Sequence, residues 1–439
     1  MNLHDIIHKI PTIDTYRRLG KVKQVVGIMI ESIGPQCSIG DICKLYPESG
    51  DPDNYIIGEV VGFRDEIVMI MPYSSVHDIA PGWLVESTGK SLESNVGPAI
   101  IVKVLDSLGR PLDGSPLPAN LQPWSTENNP PNPLKRPPIR EPLEVGVRAI
   151  DSLLTIGKGQ RMGIFAGSGV GKSTLLGMIA RNTKADINVI GLVGERGREV
   201  REFIERDLGE DGLKRSIVVA ATSDQPALMR IKGAFTATAI AEYFRDQGLD
   251  VLLMMDSVTR IAMAQREVGL ATGEPPATKG YTPSVFSLLP RLLERSGTNE
   301  RGTITAIYTV LVDGDDFNEP IADTVRGILD GHIVLDRNLA NKGHYPAINI
   351  LRSISRLMTA LASEEHLRHA EKLRELLSTY TESEDLINIG AYKRGSSREI
   401  DEAIQYYPKI SAFLKQRIDE KATMAESIEA LQQLFAGGS

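Results

Sequence analysis

The feature that most restricts the fold of this chain is a glycine-rich stretch, FAGSGVGKSTLL, from Phe165 to Leu176. It lies between an apolar run that predicts a strand, RMGIFA, and a run with helical spacing, STLLGMIARN. Successive backbone N–H groups of such a loop, together with the positive end of the following helix, bind phosphate. The stretch therefore predicts a strand, a phosphate-binding loop and a helix, which is one unit of an α/β fold.

Each residue of the loop has an expected role. The backbone is expected to surround the phosphates at Gly167, Ser168, Gly169, Val170 and Gly171. Lys172 is expected to reach the β and γ phosphates, and Ser173, followed by Thr174, to contact Mg²⁺. The usual pattern begins with glycine where this chain has Ala166, a change that does not block the loop. The sequence thus predicts a binding site for a nucleoside triphosphate.

The sequence on both sides of this loop predicts three domains and an N-terminal helix. From Gln160 onward, nearly all-apolar strands alternate with helical stretches, which indicates a mostly parallel sheet covered on both faces. Short alternating runs before it predict a small barrel or sandwich, and helical periods dominate after Met358. A proline-rich segment, Asn128 to Pro142, is expected to cross the surface in an ordered form. We place the boundaries at 1–20, 21–95, 96–357 and 358–439.

The first segment, MNLHDIIHKI, predicts a short helix with one apolar face formed by Leu3, Ile6, Ile7 and Ile10. This face either packs on its own domain or docks to another protein, and the sequence favours neither.

Composition excludes several classes of protein. A formal net charge of −8 argues against a chain held on nucleic acid by counterion release. The two cysteines, Cys37 and Cys43, have no further metal ligands nearby and are expected to be buried in a reducing compartment. No apolar run approaches the roughly 20 residues that span a bilayer, so we expect a cytoplasmic protein. His366 and His369, at helical spacing, are expected on a solvated face.

Two acidic positions are candidates for catalysis. Asp256 ends the apolar run DVLLMMD, where a parallel sheet collects its ligands, and is expected to bind Mg²⁺. Glu195 directly follows the strand INVIGLVG, at its carboxyl end, and could orient the attacking water. Spacing alone leaves Glu199 and Glu202 open as alternatives.

Five segments together resemble a known family: AGSGVGKST, GERGREVREF, LLMMDSVTR, GEPPATKGYTPSVFSLLPRLLERSG and PAINILRSIS. They resemble the catalytic ATPases of the rotary ATP synthase superfamily, and most closely the flagellar and virulence type III export ATPases. The resemblance covers Lys21 to about Met358 well and the helical tail moderately. It implies a RecA-like P-loop NTPase core with a small N-terminal β-barrel and a C-terminal helical domain, which assembles as a ring of six with ATP and Mg²⁺ between subunits.

The resemblance also implies roles for four residues. Glu195 matches the glutamate that activates water, and Arg196 matches the arginine that approaches the γ-phosphate. Tyr345 resembles the aromatic residue that stacks on adenine. Arg356 resembles the arginine finger that acts in the neighbouring subunit's site.

The tail LINIGAYKRGSSREIDEAI lacks the acidic lever motif of synthase subunits, and PSVFSLLPRLLERSG has the form typical of export ATPases. The resemblance thus implies hydrolysis of ATP that energises flagellar export. A virulence injectisome ATPase is the alternative, and a rotary ion-pump subunit is a weaker one. An RNA translocase fits poorly with an acidic chain whose early aromatics are sparse.

The implied partners are a stator-like regulatory export protein at the first helix, a coiled-coil stalk protein, the export gate, chaperones and export substrates. No specific nucleic acid is expected, and the implied location is peripheral, at the inner face of the cell membrane.

Overall fold

A computed structural model describes residues 19–47, 53–312 and 316–436 of the chain, and the expected N-terminal helix lies outside these ranges. The first described strands close into a barrel in the order β1-β2-β5-β4-β3-β6. Their bounds are β1 (Leu19–Val26), β2 (Met29–Ile33), β3 (Ile42–Tyr46), β4 (Ile56–Arg64), β5 (Ile67–Pro72) and β6 (Leu84–Ser87). Alternate residues point inward and form a separate apolar core that includes Cys43, whereas Cys37 is half-buried at its margin. Of the two architectures expected for this region, the barrel is confirmed.

Short strands connect the barrel to the central domain. They are β7 (Glu93–Val96), β8 (Val104–Leu105), β9 (Gln122–Ser125), β10 (Pro142–Leu143) and β11 (Ile156–Gly157). β7 pairs with β9 in a separate two-stranded sheet, so the last strand of the barrel ends at Ser87. The proline-rich crossing is fixed by Arg136, whose guanidinium donates to the Ser296 carbonyl at 2.7 Å.

The central domain is a sheet of nine strands with helices on both faces. Its remaining strands are β12 (Arg161–Ala166), β13 (Ile187–Val193), β14 (Ser216–Ala221), β15 (Asp250–Asp256), β16 (Gly297–Thr298), β17 (Thr303–Leu311), β18 (Gly331–Leu335) and β19 (Ile354–Ser355). The order is β19-β18-β12-β17-β15-β13-β14-β8, with β16 beside β17. All neighbours are parallel except β19 with β18 and β16 with β17. The predicted RecA-like alternation of apolar strands and helices is confirmed.

The helices of this domain are α1 (Arg148–Leu153), α2 (Lys172–Asn182), α3 (Gly197–Glu202), α4 (Gly209–Leu213), α5 (Ala227–Asp246), α6 (Val258–Ala271), α7 (Pro283–Leu293), α8 (Pro320–Ile328) and α9 (Arg337–Asn341). A π-helical segment, Phe203–Leu208, separates α3 from α4. β13, β14 and β15 are buried along nearly their whole length, because helices cover both faces of the sheet.

A buried ion network joins the barrel to the central domain. The Lys232 ammonium of α5 lies 2.8 Å from both Glu59 of β4 and Glu127, and Tyr73 donates a hydrogen bond to Glu59. Lys232 is only 4% exposed, so these charges are compensated by one another rather than by water. The barrel is thereby fixed to helix α5.

The C-terminal domain is helical: α10 (Met358–Leu361), α11 (Glu364–Asn388), α12 (Arg398–Leu414) and α13 (Met424–Gln433). α11 packs along α12, and both contact α1. The expectation that His366 lies on a solvated face is wrong: it is 3% exposed and its Nε2 lies 2.6 Å from the Ser152 carbonyl of α1. Its ring is buried because it joins the two domains, whereas His369, three residues later, is half-buried and stacks on Phe435, with the ring centroids 5.9 Å apart.

Within the described ranges, no helix combines the length and apolar character that crossing a bilayer requires.

Candidate nucleotide site

The glycine-rich loop joins the carboxyl end of β12 to the first turn of α2, as the sequence predicts. Gly169 and Gly171 have φ values of 76° and 89°, a left-handed conformation that residues with a Cβ rarely adopt. This backbone turns Gly167 to Gly171 around a cavity of about 500 Å³. The loop therefore has the shape that phosphate binding requires.

Lys172 lies between two carboxylates at the same edge of the sheet. Its ammonium pairs with Asp256 of β15 and lies 3.5 Å from Oε1 of Glu195, just beyond β13. Thr309, on the strand between β12 and β15, donates to Oδ1 of Asp256 at 2.7 Å. Burial lowers the pKa of Lys172, but the two carboxylates outweigh it and the pKa is raised. A positive charge is thus held in an acidic cleft.

Glu195 is the candidate glutamate nearest to this lysine. Burial first, and then Asp256 and Glu199, raise its pKa to about 7, although Lys172 opposes the shift. Glu199 lies within hydrogen-bonding contact, and that bond lowers the pKa of Glu199. Glu202 instead pairs with Arg198 at 3.6 Å and does not line the cavity. Of the three alternatives that spacing left open, Glu195 has the position and the pKa of a group that exchanges protons near pH 7.

Three arginines line the same cavity: Arg196, Arg206 and Arg260. Arg196 is 77% exposed at the side chain, and its guanidinium lies 3.8 Å from Glu199. Arg260, in the first turn of α6, was not assigned a role from the sequence. Its Nε is buried and has no hydrogen-bond partner among the described residues. The signal for it was its position in DSVTR, four residues after Asp256 at the start of a helix.

A second cavity, of about 740 Å³, lies on the other side of the loop. It shares Gly169, Gly171 and Thr174 with the phosphate cavity. Tyr345 lines it, 46% exposed, with its ring close enough to Gly171 that an added Cβ would meet Cε1 at 3.4 Å. The cavity continues from the phosphate loop along an aromatic ring, so its chemistry suits a nucleotide base.

Arg356 lies away from this cluster. It follows β19 at the amino edge of the sheet, and its backbone N–H donates to the Asp330 carbonyl at 3.1 Å. Asp330 in turn bonds Arg161, the first residue of β12, whereas the loop follows the last residue, Ala166. At strand spacing the two edges are about 16 Å apart. The exposed guanidinium of Arg356 therefore lies outside its own chain's phosphate cavity.

The oxygen donors at the loop suit a hard cation such as Mg²⁺. Ser173 lies in the first turn of α2, and Asp256 already faces one positive charge, that of Lys172. Among the residues that the structure describes, no group of three or more His, Cys, Asp or Glu could hold a metal unaided. A cation at this site would need the phosphates of a nucleotide to complete its coordination.

Comparison with protein families covers most of the chain. Residues 22–89 match the β-barrel domain of the ATP synthase alpha/beta family, and residues 146–355 match its nucleotide-binding domain. Residues 362–433 match the C-terminal domain of the type III secretion ATPase EscN. The three matches follow the order of the three domains described above.

Individual relatives span nearly the whole chain. The flagellum-specific ATP synthase of Bacillus subtilis (strain 168) is 68% identical over 434 residues, which are 99% of each chain. The assembled ATPase EscN from the type III secretion system of enteropathogenic E. coli is 47% identical, with a TM-score of 0.89 over 95% of this chain and 100% of that one. EscN in complex with its central stalk EscO is 46% identical, with a TM-score of 0.87 over the same shares.

Proposed function

The chain belongs to the ATP synthase alpha/beta family, in its group of flagellum-specific and type III secretion ATPases, and we propose that it energises flagellar protein export as a ring of six identical chains. Members of this group bind and hydrolyse ATP. The further claims, a homohexamer with sites between subunits and a role in flagellar export, rest on the arguments that follow.

One observation carries the proposal of shared sites. Each chain has a complete phosphate cluster at one edge of its sheet and an exposed Arg356 at the opposite edge. Because Arg356 is outside its own cavity, only a second chain can bring such an arginine to the cluster. A chain that carries both the phosphate cluster and Arg356 can form complete sites with identical copies of itself. In a closed ring, every phosphate cluster then has an arginine from a neighbouring copy.

The proposed chemistry follows from the positions of the side chains. Glu195 would orient the attacking water, and Lys172 would leave its carboxylate partners to contact the β and γ phosphates. Arg196, Arg260 and the neighbour's Arg356 would stabilise the charge that develops on the transferred phosphoryl group. Ser173 and Asp256 would hold Mg²⁺, which would neutralise charge on the phosphates when bound. Tyr345 would stack on adenine.

Flagellar export is favoured over a virulence system by the identities. The flagellum-specific relative is 68% identical, against 47% for EscN of a type III secretion system. EscN has been solved with a central stalk, and we propose that this chain also binds a coiled-coil stalk. Contacts with a stator-like protein, the export gate, chaperones and export substrates, and a peripheral position at the inner membrane face, are further parts of the proposal.

Mixing two inactive variants tests the shared site. Glu195→Gln disables the phosphate side of a site, and Arg356→Ala disables the side donated by the neighbour. In rings mixed at equal amounts, about a quarter of the interfaces would combine two intact sides, so hydrolysis should return to roughly that fraction of wild type.

The matched control mixes Glu195→Gln with Lys172→Ala. Both substitutions damage the phosphate side, so no interface is intact and no activity should return. Recovery in the first mixture alone supports an arginine supplied by the neighbour. Recovery in neither mixture, with rings shown to form by light scattering, would contradict it.

Turnover of the purified protein at increasing concentration separates export from an ion pump. Specific activity that rises and then levels indicates that identical chains complete one another. If ATP binds but turnover stays near zero at every concentration, the chain requires a distinct alternating subunit.

A further inference from the structure

The wall of the base cavity that faces Tyr345 comes from the C-terminal domain. It is the segment Lys415 to Glu420, which connects α12 to α13. One residue of this segment, Gln416, is 5% exposed, although its neighbours on both sides are exposed. Its backbone N–H donates to the Tyr345 carbonyl at 3.0 Å, which ties the two walls of the cavity together.

The Gln416 side chain uses all of its donors. Its Oε1 accepts from the Arg148 backbone N–H at 2.7 Å, and its Nε2 donates to the carbonyls of Gly146 and Glu420, each at 3.0 Å. A buried amide with these bonds has one favourable orientation. Gln416 thus fixes the segment both to the nucleotide domain, through Gly146 and Arg148, and to its own far end, through Glu420.

Two arginines reinforce this attachment. The Arg148 guanidinium donates to the carbonyls of Phe413 and Lys415, each at 3.1 Å, and forms an ion pair with Glu420. Arg181, in the last turn of α2, donates to the Ile418 carbonyl at 3.0 Å. Helix α2 therefore begins at the phosphate loop and ends at the segment that closes the base cavity.

From this arrangement we propose that Gln416 is a positioning residue for the nucleotide base. It sets the spacing between Tyr345 and the segment 415–420, so that a base enters a preformed slot while the phosphates enter the loop. The proposal rests on the proposed role of Tyr345 in base binding. Gln416 lines the base cavity and not the phosphate cavity, so its effect is on the base and not on the phosphates.

The test compares two substrates that differ only in the base: ATP and ribose 5′-triphosphate. Gln416→Ala should raise the KM for ATP about tenfold and change kcat less than about twofold, because the loss falls on binding rather than on the transition state. The KM for ribose 5′-triphosphate should not change. A general loss of structure would instead alter both substrates and lower kcat.

Gln433→Ala is the matched control, because Gln433 is an exposed glutamine on α13 whose side chain, within the described ranges, bonds Glu429 alone, at 3.1 Å. It should leave the kinetics with both substrates unchanged. Arg181→Gln is a second variant that removes the bond to Ile418 without opening a buried cavity. Arg181→Gln should also raise the KM for ATP and leave the KM for ribose 5′-triphosphate unchanged. The proposal can therefore still be tested if the Gln416→Ala variant is unstable.

Tyr345→Ala separates the two proposals. If it raises the KM for ATP alone while Gln416→Ala and Arg181→Gln do not, Tyr345 binds the base but the positioning role of Gln416 is refuted. If none of the three variants distinguishes the two substrates, the base does not occupy this cavity, and the base-binding part of the proposed function fails as well.

Discussion

Replacing Glu195 with glutamine should stop hydrolysis while ATP still binds. The substitution keeps the volume of a side chain that is 16% exposed and removes its ability to accept a proton. It also leaves Lys172 paired with Asp256, so the loop keeps its charge. Because a positioned acid–base group contributes about 10²- to 10⁴-fold to rate, we expect kcat to fall by that factor and the Kd for ATP to change only a few-fold.

The pH dependence gives a second readout. Since the pKa of Glu195 is raised to about 7, its carboxylate fraction in the free enzyme increases with pH through that value. For the wild type, kcat/KM should therefore rise about tenfold from pH 6 to pH 8. Glu195→Gln has no such group and should lose this limb of the profile.

Steady-state phosphate release measures kcat, and calorimetric titration of ATP measures binding. Glu199→Gln is the control, because Glu199 lines the same cavity but lies at its exposed side, near Arg196. Its kcat should fall less than about tenfold. The reasoning is refuted if Glu195→Gln stays within tenfold of wild type, or if Glu199→Gln is the more damaging change.

Three further results are expected. Lys172→Ala should abolish phosphate release and weaken ATP binding more than tenfold in titrations, because Asp256 and Glu195 then face the phosphates without a compensating charge; full activity would end the phosphate-loop interpretation. The pKa of the Glu195 carboxyl is about 7 in the folded protein, against 4.5 for an unperturbed glutamate. Its contribution to the free energy of unfolding is therefore fully present below pH 4.5 and is lost as the pH rises through 7. In denaturant titrations Glu195→Gln should therefore exceed the wild type by about 1–3 kcal/mol at pH 8 and match it near pH 4.5, and equal stability at both pH values would contradict the raised pKa. Glu242→Ala should cost about 3–5 kcal/mol in the same titrations, because it leaves the fully buried guanidinium of Arg295, 2.7 Å away, unpaired; a loss under 1 kcal/mol would show that water reaches that arginine.

The central sheet and its loop were predictable from sequence because their signals are local. Strands buried on both faces are apolar at successive positions, and the spacing of Gly167, Gly169 and Gly171 before Lys172 marks the phosphate loop. Asp256 could be identified because it ends an apolar strand. The order of the strands could not be predicted from sequence. In the structure, β17 lies between β12, which leads to Lys172, and β15, which ends at Asp256, and Thr309 of β17 donates a hydrogen bond to Asp256.

Other features depend on contacts between residues far apart in the chain, and no local sequence pattern predicts such contacts. Gln416 and Arg148 are 268 positions apart, and the glutamine looks like any polar residue after a helix. Lys232 is buried against the barrel, but nothing in the sequence of its helix distinguishes it from the other charged residues there. His366 was misplaced for the same reason, since its partner Ser152 is 214 positions away.

The distance between Arg356 and the phosphate loop of the same chain also bears on control in the cell. If each site draws on two chains, the rate of ATP consumption depends on how many chains are gathered in one place more than on how many are made. A dispersed population would stay idle without an inhibitor, and any scaffold that concentrates the chains would act as the switch. Newly made protein could then accumulate ahead of demand with little waste of nucleotide.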